Sequence, residues 1–112
     1  MKRQVLFVGC EPPYHGEIRE YLKSHGGEAS FASSPSMAIS ILDKHPIDTV
    51  VICLHEISDT AVLKYINENH PDTKVLVQAS DEFMDIIQAL THGHFSLIAK
   101  PLKLKELEVL LA

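Results

Sequence analysis

The chain has 112 residues, with ten Lys plus Arg against fifteen Asp plus Glu and a formal net charge of −5 when histidine is neutral. That length predicts one domain, and 46% apolar with 22% charged residues is a globular balance that argues against disorder. The acidity argues against a nucleic-acid partner, and no apolar run approaches the roughly 18 residues of a membrane span.

Two cysteines, Cys10 and Cys53, are too few for a secreted disulfide framework. Met1-Lys2-Arg3 followed by Val5-Leu6-Phe7-Val8-Gly9-Cys10 imitates an export signal ending at a lipid-modified cysteine. The apolar stretch before Gly9 falls short of the roughly 7–15 residues that such a signal needs, so a cytoplasmic, reducing location is expected.

In chain order, Val5-Leu6-Phe7-Val8 reads as a strand buried on both faces. Pro12-Pro13 opens a helix whose inner face is Ile18, Tyr21, Leu22 and His25, and Gly26-Gly27 stops it. Residues 28–33 form a weaker strand. Ser34 before Pro35 predicts an N-cap, Ala38, Ile41 and Leu42 an apolar face, and His45-Pro46 a stop. A strand over 47–54 centres on Val50-Val51-Ile52, and Ser58 or Asp59 caps a helix with Val62, Leu63 and Ile66 inward. Val75-Leu76-Val77 is a fourth strand. Ser80 or Asp81 caps a helix with Phe83, Ile86, Ile87 and Leu90 inward, which Gly93 ends. Phe95 to Ala99 is a fifth strand, closed by Lys100-Pro101, and Leu104, Leu107 and Leu111 mark a last helix. That helix ends on Val109-Leu110-Leu111-Ala112 with no cap or polar tail, as if cut from a longer protein. Apolar strands alternating with helices predict one α/β domain over residues 1–112, a parallel sheet covered on both faces.

This order of elements, with His70-Pro71-Asp72-Thr73 before the fourth strand, Gly93 before the fifth and Lys100-Pro101 after it, resembles the receiver domain of two-component response regulators. The resemblance covers essentially the whole chain. It implies a flavodoxin-like doubly wound sheet of strand order 2-1-3-4-5, with the site at the carboxyl ends of strands one, three, four and five. It also implies a phosphoacceptor pocket, and here that pocket is degenerate. Gly9 and Cys10 stand where paired acids help hold magnesium, with only Glu11 acidic beyond them, and Cys53 stands at the phosphoacceptor aspartate. Ala79 holds the place of the switch hydroxyl, with Ser80 next to it, and Leu97 that of the switch aromatic; Lys100 matches the family's lysine. Magnesium wants carboxylate oxygen, and a thiol forms no acyl phosphate, so magnesium binding and aspartyl phosphorylation are expected to be lost.

The expected function is therefore that of a non-enzymatic signalling module without a cofactor. It would dock a signalling protein or output domain, or dimerise, and bind neither nucleic acid nor membrane. In the family the docking surface is the fourth helix, fifth strand and fifth helix, which implies Gln88, Thr91, His92, Ser96, Leu97, Lys103 and Glu106 here. Two alternatives stand beside this reading. Cys10, Cys53 and His55 fall at the three magnesium positions and could form a thiol or zinc sensor; the plainer reading makes the cysteines small buried hydrophobes. Or an atypical acid such as Glu11 or Asp59 accepts the phosphoryl group. His25, His45 and His70 read as caps at helix C-termini, as do His92 and His94 around Gly93, ahead of a metal site at the latter pair.

Overall fold

The computed structural model describes residues 3–9 and 15–98. Five parallel strands form one sheet in the order β2-β1-β3-β4-β5: β1 (Arg3–Val8), β2 (Gly27–Ala32), β3 (Thr49–Cys53), β4 (Lys74–Gln78) and β5 (Ser96–Leu97). Four helices connect them, α1 (His15–Ser24), α2 (Pro35–Lys44), α3 (Thr60–Asn69) and α4 (Met84–Thr91). The expected fold class and strand order are both present. None of the described helices is long and apolar enough to cross a membrane.

The apolar runs form the central strands for the expected reason. Side chains on both faces of β1 and β3 are buried, so a strict apolar-polar alternation would fail there. One face packs Leu6, Val8, Val50, Ile52 and Val77 under Ala38, Leu42, Val62, Leu63, Ile66 and Ile87. The other packs Val5, Phe7, Val51, Cys53, Leu76 and Ile98 with Ile18 and Leu22 of α1.

Local signals set most helix ends. The Ser34 side chain accepts from Met37 N–H and Pro35 takes the first helical position, as expected. His45 and His70 occupy the C-caps of α2 and α3, and Nδ1 of His25 lies 2.8 Å from the Tyr21 carbonyl after α1. Two helix starts differ from the sequence reading. A 3₁₀ turn, Ile57–Asp59 or Asp81–Phe83, precedes α3 and α4, so neither Asp59 nor Ser80 caps the following α-helix with its side chain. At the end of α4 the left-handed residue is His92 (φ 54°), followed by Gly93 (φ 81°). The fifth strand is described over Ser96–Leu97, shorter than expected; Lys100-Pro101 and the last helix lie outside the described residues.

Asp43 of α2 accepts a hydrogen bond from the Tyr65 hydroxyl of α3, and Nε2 of His70 stands 3.6 Å from the same carboxylate. The hydrogen bond, with burial and the carboxylate charge adding to it, raises the Tyr65 pKa above its ordinary 10.0. The neutral phenol thus supports the α2–α3 contact fully below the ordinary value, and that support is lost as pH rises through the raised one. In a spectrophotometric phenolate titration, Asp43→Asn should return Tyr65 to the ordinary range. An unmoved titration would show that Asp43 is not the cause.

Candidate functional site

The carboxyl ends of β1, β3 and β4 bring Gly9, Cys53 and Ala79 to one edge of the sheet, where open α/β folds place ligands. Gly9 follows β1 in the left-handed region at φ 70°. Its N–H donates to the Ala32 carbonyl at 2.9 Å, which fixes the turn against β2. A Cβ at this position would lie 2.8 Å from the Cys53 carbonyl oxygen, closer than such atoms approach. The end of β1 is thus built around the missing side chain.

The Gly9 carbonyl is also taken. Nε2–H of His55 donates to it across 2.9 Å, between residues 46 apart in sequence. A carbonyl only accepts, so Nε2 carries the proton and only Nδ1 of the ring is left for other partners. Asp59 holds this loop: one carboxylate oxygen accepts from the N–H groups of both His55 (2.8 Å) and Glu56 (3.0 Å). The loop's conformation therefore depends on Asp59 turning back rather than capping forward.

Cys53 ends β3, is 4% exposed, and belongs to the apolar cluster of Val5, Phe7, Ile18, Leu22, Val51, Leu76 and Ile98. Its register partner on β4 is Gln78, a residue the sequence reading passed over. Paired residues share a face of the sheet, so this buried amide borders Cys53. The Gln78 carbonyl accepts from Leu54 N–H at 2.8 Å and ties the two strand ends together. Ala79 packs half-buried toward the opposite core, and Ser80 beside it is exposed, its carbonyl accepting from Phe83 N–H. Cys10, Glu11 and Lys100 lie outside the described residues, as do Lys103 and Glu106.

Of the expected docking surface, Gln88 and His92 are exposed, Leu97 is 52% exposed and Ser96 is half-buried. Thr91 is a correction: it is 3% exposed, with its hydroxyl donating to the Ile87 carbonyl at 2.7 Å. One turn after Ile87, it shares that residue's inward face, and the backbone oxygen satisfies the hydroxyl that would otherwise resist burial. Among the described residues no three His, Cys, Asp or Glu side chains cluster as metal ligands.

The family model of the response regulator receiver domain matches residues 5–112. The search of curated proteins gives no match. Among solved structures, the signal receiver domain of an HD domain-containing protein from Pseudomonas fluorescens Pf-5 superposes with TM-score 0.83 at 16% identity, over 99% of this chain and 92% of that one. The chemotaxis protein CheY4 of Vibrio cholerae gives TM-score 0.81 at 18% identity, over 99% and 97%. NtrX from Brucella abortus gives TM-score 0.77 at 18% identity; 99% of this chain is covered, but only 26% of that longer one.

Proposed function

This chain belongs to the response regulator receiver domain family, and on that premise we propose that it is a degenerate receiver that signals without aspartyl phosphorylation. The observation that carries the reading is the turn at Gly9. A family acid at this position would need a side chain where a Cβ already meets the Cys53 carbonyl, on a backbone with φ 70°. The described side of the pocket offers a thiol, a methyl group and a carbonyl engaged by His55. Magnesium, a hard ion that takes carboxylate and water oxygen, does not fit that donor set. A buried thiol at the acceptor position is no source of an acyl phosphate.

Without that input the domain works as a docking module rather than an enzyme. Its output runs through contact with a signalling protein, an output domain or a second copy, with Gln88, His92, Ser96 and Leu97 as the described members of the surface. Leu97, 52% exposed on β5, is the large apolar member of that surface.

The test is intact-mass spectrometry after incubation with magnesium and a small phosphodonor. An unchanged mass is expected. A stoichiometric, magnesium-dependent gain of one phosphoryl group would overturn the proposal and return the domain to the phosphorylated receivers.

A further inference from the structure

The opposite end of the sheet holds a second feature, independent of the pocket. Among the described strands β2 is at the edge of the sheet, with β1 as its neighbour. Gly9 N–H donates to the Ala32 carbonyl, so Ala32 turns its peptide groups toward β1, and by the period of two so do Ser30 and Glu28. Gly27 and Ala29 turn theirs away from β1; Gly27 is buried beside Leu22 of α1, and Ala29, half-buried, is the more open of the two. Both fall on the face that α1 covers; Gly27 lets the helix end approach, with the Leu22 carbonyl oxygen 3.3 Å from its Cβ position, and the Ala29 methyl group leaves space beside the helix. Arg19, Lys23, Gly26, Gly27, Glu28 and Ala29 line a groove of about 430 Å³ there.

The groove is basic although the chain carries −5. Arg19 is held 4.9 Å above the Phe31 ring, and neither Arg19 nor Lys23 meets a carboxylate among the described residues. Glu28 does not fill that role, since its side chain lies on the other face and accepts from Gln4 Nε2 at 3.0 Å. The spacing is informative. Arg19 and Lys23 are one helical turn apart, about 6 Å along the axis, and alternate residues of an extended strand are about 6.7 Å apart.

We propose that this edge receives an extended acidic segment of a partner protein, added beside β2 as a further strand. Its backbone pairs with the outward groups of Ala29, and carboxylates at two alternate positions meet Arg19 and Lys23. Charge decides the class of occupant: a second copy paired through the same edge would set these cations against their equals. A proline or an edge lysine would forbid such an addition, and β2 carries neither.

The probe is a fluorescein-labelled synthetic peptide alternating Glu and Val, titrated into the whole protein and followed by anisotropy. Binding that weakens with salt is expected, together with slowed hydrogen exchange at the Ala29 amide. The double variant R19E/K23E, whose two side chains are exposed, should fold as before by circular dichroism and bind about tenfold more weakly, the scale of two exposed ion pairs. A peptide N-methylated at the nitrogens facing β2 should lose a similar factor. The proposal is overturned by no binding, by equal binding of the methylated peptide or of the double variant, or by preference for a labelled single-stranded oligonucleotide.

Discussion

Replacing Gly9 with aspartate should destabilise the domain by about 2–5 kcal/mol and create no magnesium site. Holding a side chain in the left-handed region costs roughly 1–2 kcal/mol. Forcing a Cβ to within 2.8 Å of the Cys53 carbonyl adds a further clash, for which roughly 1–3 kcal/mol is the usual scale of overpacking. Gly9→Ala separates the two effects of the change, because it brings the Cβ without the charge; most of the loss should already appear there. Urea unfolding reads both variants, and the His55 ring resonances report whether its hydrogen bond to the Gly9 carbonyl survives. Wild-type stability in both variants would mean that the turn tolerates a side chain, and the main support for a degenerate pocket would go. A magnesium-dependent rise in the aspartate variant's midpoint would restore the family's metal chemistry.

The second large effect is expected at Phe7. This residue is 1% exposed in the middle of the sheet and stacks on its register partner Phe31, with ring centroids 5.3 Å apart and planes 20° apart. Phe7→Ala should cost about 3–5 kcal/mol, the usual toll for emptying a buried aromatic site. That is a large part of the roughly 5–15 kcal/mol by which a domain is stable. Phe7→Leu keeps most of the volume and should cost about 1.5 kcal/mol or less. The same ring supports Phe31, over which Arg19 lies, so Phe7→Leu should also weaken the acidic peptide's binding at the β2 edge. Equal stability of the alanine variant would show that the core collapses around the missing ring, and unchanged peptide affinity in the leucine variant would uncouple Phe31 from the groove.

Much of the fold was legible because its causes are local. Val5-Leu6-Phe7-Val8 and Val50-Val51-Ile52 could be read as strands covered on both faces, since no amphipathic pattern explains such runs in a chain this polar. Ser34-Pro35 carries its own capping chemistry, and His45 and His70 mark helix ends by residue type and by the prolines that follow. Gly9, Cys53 and Ala79 could be placed at the strand ends for the same reason, because strand ends can be located by counting.

What the tertiary structure decided is set by contacts between distant residues. Residue type does not reveal that Gly9 is left-handed or that its missing Cβ clears the Cys53 carbonyl, because that clearance belongs to two neighbouring strands. Nothing in the residue type of His55 shows that Asp59 holds its N–H from behind and that its ring reaches the Gly9 carbonyl in front. The resemblance put Thr91 on the docking surface, but its place one turn after Ile87 buries it, and a backbone oxygen removes the penalty. The β2 groove exists only because α1 sets two cations over small residues of an edge strand. Periodicity and capping fix the elements by themselves, whereas the pocket and the groove depend on which surfaces the folded sheet brings together.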